Sequence, residues 1–238
     1  MFGGIFDMDK PFWRWVGKIP DILILSLCWY VCSLPIITII PASCALFDAV
    51  SRNLMMDEKG YLKRFFTSFV RELKQGIPLS IFWGIIALIA LYGNQIAVTL
   101  AASNSSMAIF LVLYQVMIVL MVGYLGWLVP LQSRYNNTFI GLHINAMKFF
   151  LGRLPGTLLI LFYTALVVVA SIISAYTMWL IVFAPCLIAI LHTFPVEKAF
   201  QIAFPQDYED GLPVYTEQDR EAIKAINKAK KEESESES

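Results

Sequence analysis

Charge is missing from most of this chain. Between Gln75 and Ser133 lie 59 residues without one Asp, Glu, Lys or Arg, and a second uncharged stretch of 43 residues runs from Leu154 to Val196. A helix in water carries charge along one face, so neither stretch fits a soluble domain. Acid is scarcer still, with none between Glu72 and Glu197, which removes the paired carboxylates of acid–base chemistry from the apolar region. Histidine is limited to His143 and His192, and no His-x-x-x-His or Gly-x-Ser-x-Gly pattern occurs. The expectation is a protein that is not an enzyme and has no cofactor.

Cysteine is also sparse, and Cys28, Cys32, Cys44 and Cys186 all fall in apolar segments. Cys28 and Cys32 share a helical face at i, i+4, but a metal site needs further ligands at the same depth and both histidines are distant in sequence. Packing as small hydrophobes accounts for them, and no metal is expected. Ala42-Ser43-Cys44 looks like the end of a lipobox. Pro41 precedes it, however, and the apolar run is too long for a signal peptide, so no cleavage is expected there. A net charge of zero without a basic stripe argues against a nucleic-acid partner.

What is present is hydrocarbon. Of 238 residues, 58% are hydrophobic and 15% charged, against about 25% charged in soluble domains, which places the chain in the membrane class with lipids as its first partners. A bilayer core about 30 Å thick takes about 20 helical residues to cross. The pattern therefore predicts an all-α, polytopic helical bundle of about five transmembrane helices, near residues 22–47, 77–101, 107–131, 157–174 and 177–194. Small polar residues at Ala102–Ser106 turn the first long stretch, and Ser174–Thr177 turns the second. Pro185 should kink the last span and free a carbonyl there. The first segment, interrupted by Pro35 and Pro41 and bounded by Asp21 and Asp48, reads as one broken span; a re-entrant segment is the alternative.

Basic residues in short loops face the cytoplasm. The connector from Asp48 to Gly76 carries six (Arg52, Lys59, Lys63, Arg64, Arg71, Lys74), that from Gln132 to Arg153 carries three (Arg134, Lys148, Arg153), and the hairpin turns carry none. Both connectors and the tail are expected inside a bacterial cytoplasmic membrane. A single crossing of the first segment then puts the N-terminus outside.

Phe12, Trp13 and Trp15, interleaved with Lys10, Arg14 and Lys18, read as an interfacial anchor. Tyr61 to Gln75 places Leu62, Phe65, Phe66, Phe69 and Leu73 at helical spacing with most basic residues opposite, the pattern of an amphipathic helix in the membrane plane or docked on a partner. Ser51-Arg52-Asn53 ahead of Arg64-Phe65-Phe66 is echoed by Ser133-Arg134-Tyr135-Asn136 ahead of Lys148-Phe149-Phe150, and Pro78 and Pro155 follow to open the next spans. Residues 1–204 form the membrane domain. Residues 205–238 form a polar cytoplasmic tail, with a short helix over Thr216–Lys231 and a Glu/Ser end too polar to fold.

The run Ser33-Leu34-Pro35-Ile36-Ile37-Thr38-Ile39-Ile40-Pro41-Ala42-Ser43-Cys44-Ala45-Leu46, followed by Gly60-Tyr61, Phe65-Phe66 and Phe69, resembles the N-terminal signature of the YesL-like family of bacterial multi-spanning membrane proteins. Ser133-Arg134-Tyr135-Asn136-Asn137-Thr138 is similar to its second signature, and the likeness covers roughly residues 1–200. The chain departs from the family pattern at Ile40, Ser43 and Cys44, which stand where glycine, threonine and alanine are usual. The resemblance implies a domain of unknown function associated with carbohydrate uptake, with subunits of a sugar ABC importer as partners. The positions singled out for structural or partner contact are Thr38, Pro41 and Ser43 at the helix break, Arg52 at the membrane edge, and Arg134 with Asn136 and Asn137. A small solute transporter or channel is the alternative. Its pore candidates are Gln115 and His192, because Asn94 and Gln95 lie near a span's outer end.

Overall fold

The computed structural model describes residues 19–56, 60–103, 106, 108–135, 137–173, 180–209 and 212–214. The N-terminal aromatic anchor, Asn136, the turn over Ser174–Thr177 and the tail helix over Thr216–Lys231 lie outside the described residues.

Seven α-helices make the described fold: α1 (Ile19–Ser33), α2 (Ile39–Met56), α3 (Tyr61–Ser103), α4 (Ala108–Arg134), α5 (Phe139–Gly152), α6 (Leu154–Ile172) and α7 (Leu180–Ala203). A two-residue ladder follows, β1 (Tyr208–Glu209) paired antiparallel with β2 (Leu212–Pro213). Helices α3, α4, α6 and α7 are long and apolar enough to cross a membrane, so the bundle is a multi-pass membrane fold.

The first apolar segment breaks where its prolines stand. Helix α1 stops at Ser33, and a 3-10 turn over Ile36–Thr38 leads into α2. The break folds the segment back on itself. Trp29 Nε1 donates to Ser43 Oγ at 3.0 Å, Leu25 packs in one cluster with Leu46, Ala49 and Val50, and the Tyr61 hydroxyl meets Asp21 at the start of α1. Residues ever earlier in α1 thus meet residues ever later in α2, which is antiparallel pairing. Asp21 thus returns to the end of the bundle where α2 finishes and α3 begins, so within the described residues the first apolar segment is a helical hairpin. On α3 the break reaches Ser80, whose hydroxyl accepts from Ile40 N–H at 3.1 Å, and α3 continues from there to Ser103, about 35 Å at 1.5 Å per residue. The pair is a helical hairpin packed on α3.

A second correction concerns Tyr61–Gln75. It is no separate in-plane helix but the first four turns of the 43-residue α3, in which Pro78 is internal. Part of its apolar stripe is spent inside the chain, since Phe65 is fully buried against α2 while Phe66 stays exposed. Gly60, at φ +95°, supplies the left-handed residue that reverses the chain between α2 and α3. Gly76 lets the two helices approach: a Cβ there would lie 2.5 Å from Pro41 Cγ. Pro41 sits in the first turn of α2, where no intrahelical partner for its missing N–H is required.

The second amphipathic connector does form a separate helix. Thr138 caps α5, accepting from Gly141 N–H at 3.2 Å. Leu142, Ala146 and Phe149 face the core, while Phe139, Ile140, Ile144, Met147 and Leu151 stay exposed, an apolar outer face suited to lipid. Pro155 opens α6 as expected. Trp127, Leu79, Ile160, Phe149 and Phe200 form the main core.

Pro185 lies inside the continuous helix α7. Pro185 has no N–H for the Ile181 carbonyl four residues earlier, and the Tyr30 hydroxyl of α1 donates to that carbonyl at 2.5 Å. An unsatisfied carbonyl in an apolar setting costs about 1–3 kcal/mol. Tyr30→Phe is therefore expected to lower stability in detergent micelles by about 1–2 kcal/mol. In a Pro185→Ala background, where an N–H is restored, the same change should cost less than half as much. Equal costs in both backgrounds, measured by thermal unfolding, would refute the assignment.

Candidate functional site

Nearly all the buried charge gathers at one end of the bundle, where α2 and α4 finish, α3 begins and α7 leads into the ladder. On α2, Asp48 and Arg52 lie one helical turn apart, each about 3% exposed. Arg52 Nε meets Asp48 Oδ1 at 3.4 Å. From α3, Arg64 Nε donates to Asp48 Oδ2 at 2.9 Å, and the Ser68 hydroxyl donates to the same oxygen. One carboxylate thus gathers three donors across two helices.

The next turns of α3 reach α4. Glu72, 6% exposed, accepts from Arg71 Nε at 2.8 Å and from Gln132 Nε2 at 3.0 Å, and Gln132 also donates to Gln75 Oε1 at 3.0 Å. Arg71 Nη2 donates to the Ser133 carbonyl at 3.0 Å. At the end of α4, Arg134 Nη2 pairs with Glu197 of α7, and Nη1 donates to the Tyr208 hydroxyl at 2.7 Å. That hydroxyl donates in turn to Glu197 Oε2 at 2.5 Å, and the guanidinium carbon lies 5.2 Å from the Phe200 ring centroid. Tyr135 donates to Asp207 at 3.1 Å. Burial, reinforced by the neighbouring carboxylates, raises the Tyr135 and Tyr208 hydroxyls well above the usual tyrosine range despite Arg134, so both remain donors at neutral pH.

Between these groups opens a cleft of about 410 Å³ lined by Arg52, Arg64, Arg71 and Arg134 together with Asp48, Glu72 and Asp207. Taking a charge out of water costs several kcal/mol, and a buried pair is tolerable only when its remaining hydrogen-bonding positions are filled. Here most of them are filled from four helices and the ladder, which ties that end of the bundle together.

The seven positions singled out from sequence divide in two. Arg52 and Arg134 do come together on this cleft, but as buried members of ion pairs rather than as free contacts for lipid phosphate. Asn137 is not in its lining but borders a smaller cavity of about 170 Å³ with Gln75 and Gln132, accepting from Asn145 Nδ2 at 3.1 Å and donating to the Tyr135 carbonyl at 3.4 Å. Thr38, Pro41 and Ser43 belong to the hairpin: the Thr38 hydroxyl reaches the Cys32 and Pro35 carbonyls at 2.6 Å and so closes the break. Sequence reasoning missed Asp48, Glu72, Gln132, Glu197, Asp207 and Tyr208 as site members. The i, i+4 spacing of Asp48 and Arg52 and the placement of Glu72 and Glu197 just beyond the uncharged stretches were the available signals.

A second cavity of about 450 Å³ lies deeper, between the hairpin and α4, α6 and α7; Trp29, Tyr30, Ser43, Thr164, Pro185 and His192 are among its lining. His192 Nε2 sits 2.9 Å from the Thr164 hydroxyl. Gln115 is not there, since it is exposed on the outer face of α4, so the two pore candidates do not share a path.

Fold and site define a multi-pass α-helical membrane protein with a charge-locked end. Residues 22–94, spanning α1, α2 and most of α3, match the family described as "Protein of unknown function, DUF624". YesL-like membership is consistent with this match, because YesL-type proteins carry that domain. Comparisons with curated proteins and with solved structures returned no match.

Proposed function

We propose that the protein is an accessory component of carbohydrate (ABC-type) uptake in the bacterial cytoplasmic membrane, with its charged end in the cytoplasm and a transporter subunit docked there. The observation that carries this reading is the concentration of Arg52, Arg64, Arg71 and Arg134 around one cleft at one end of the helices, the asymmetry that sets cytoplasmic orientation. A platform locked by ion pairs presents a fixed shape to a partner, and the folded-back ladder at Tyr208 lies on the same surface. The reading assigns no catalytic step, because each of the four carboxylates around the cleft is engaged by an arginine or a tyrosine hydroxyl. Affinity capture from native membranes is expected to recover importer subunits, and a cysteine at Lys74 should be labelled only from the cytosolic side. Capture that repeatedly returns no importer subunit removes the proposal.

The alternative, a solute transporter in its own right, is favoured by one observation: the deeper cavity lies beside both a broken hairpin and a proline-interrupted span, a combination used by transporters at their binding sites. Proteoliposomes that accumulate a labelled sugar would favour it over the accessory reading.

A further inference from the structure

We propose that the mouth of the charged cleft is a binding site for a phosphate-bearing anion, with Arg64 and Arg71 as its ligands. The four arginines on the cleft are not equivalent. Arg52 and Arg134 are buried to about 4% and 5% side-chain exposure and lie against carboxylates at the cleft floor. Arg64 and Arg71 keep 24% and 47% of their side-chain surface. Both are also only partly used. Arg64 is bonded through Nε to Asp48, and Arg71 through Nε to Glu72 and Nη2 to the Ser133 carbonyl. Among the described residues this leaves both Nη nitrogens of Arg64 and Nη1 of Arg71 without a protein acceptor.

Three guanidinium nitrogens thus remain as donors at the rim of a cleft of about 410 Å³, within the size range of small-molecule sites. Counting Glu197, which pairs with Arg134, four arginines balance four carboxylates, so the pull on an anion comes from the unused Nη donors at the rim rather than from a net charge. Arg64 and Arg71 stand seven residues apart on one face of α3, about 10 Å along the axis, a gap that long side chains can close over a tetrahedral group. Planar guanidinium forks suit phosphate oxygens better than a single carboxylate, because three oxygens can accept at once. The ion pairs beneath fix the Nε ends of both arginines, so little side-chain freedom is left to lose on binding.

The phosphate can come from a lipid headgroup in the adjacent leaflet or from a soluble phosphate ester. The test uses the full chain purified in micelles and in nanodiscs. In micelles, thermal stability is followed as inorganic phosphate replaces chloride at constant ionic strength; in nanodiscs, phosphatidylglycerol retained by the protein is counted by native mass spectrometry against phosphatidylcholine. The inference expects saturable binding in at least one arm. It also expects Arg71→Gln to weaken that binding about tenfold, 1.4 kcal/mol, while Lys74→Gln, on an exposed residue outside this cleft, leaves it unchanged. Stabilisation by phosphate identifies a soluble ester, and selective retention of phosphatidylglycerol identifies a headgroup. Binding in neither arm, or equal weakening by the Arg71 and Lys74 variants, overturns the inference.

Discussion

Replacing Asp48 by alanine is expected to lower the stability of the purified protein by about 3–5 kcal/mol, the range found when one partner is removed from a buried ion pair. The reason lies in how many groups share one carboxylate. Arg52 Nε, Arg64 Nε and the Ser68 hydroxyl all converge on its two oxygens, and Arg52 is only 3% exposed, so it cannot turn to water. Asp48→Asn keeps the volume and one acceptor but loses the charge, and should fall between alanine and wild type. Arg64, at 24% side-chain exposure, can recover solvent, so Arg64→Gln alone should cost about 1 kcal/mol. Because the two residues share an interaction, Asp48→Asn with Arg64→Gln should cost less than the sum of the singles. Unfolding of the alanine variant within about 1 kcal/mol of wild type would show that the network is ornamental.

The same residues show what a single sequence carries and what it withholds. Membrane character was legible because hydrocarbon forbids charge, and the stretches 75–133 and 154–196 obey that rule residue by residue. The break at Pro35 was legible too, since the chemistry of proline acts locally. The direction taken after the break was not. A 26-residue apolar segment is long enough to cross once, and nothing in its composition records that Trp29 will find Ser43 and Asp21 will find Tyr61.

Tyr61–Gln75 misled for a related reason. An apolar stripe opposite basic residues looks the same whether it meets lipid or another helix, and here Phe65 meets α2 while Phe66 stays exposed. The echo between Ser51-Arg52 and Ser133-Arg134 gained meaning from the fold. Ser133-Arg134 ends α4, Ser51-Arg52 lies in the last turns of α2, and both arginines line one cleft. Their acidic partners differ in visibility, because Asp48 is one turn from Arg52 whereas Glu197 is 63 residues from Arg134. Long-range pairing leaves no trace in spacing, so the arginines could be singled out while Glu197 was not.

That long-range pair supports the second large effect. Glu197→Ala is expected to cost about 3–4 kcal/mol and to release the ladder from the bundle. Glu197 is 3% exposed and pairs with Arg134 Nη2, while its other oxygen accepts from Tyr208, which also receives Arg134 Nη1. The triad therefore ties α4 and α7 to β1, and without the carboxylate Tyr208 keeps only its 3.3 Å bond to the Glu197 backbone carbonyl while Arg134 loses the Glu197 ion pair. Limited proteolysis should cut between Phe204 and Val214 in this variant before any cut elsewhere in the described residues. Tyr208→Phe should open the same segment at a smaller stability loss of about 1 kcal/mol, because it removes hydrogen bonds but no charge. Arg134→Met combined with Glu197→Leu separates charge from packing: apolar replacement of both partners is expected to restore most of the stability lost by Glu197→Ala, while Tyr208, left with only the residue 197 backbone carbonyl, stays loosened. If the double variant were instead as unstable as the single one, the loss would come from packing around Phe200 rather than from a stranded cation.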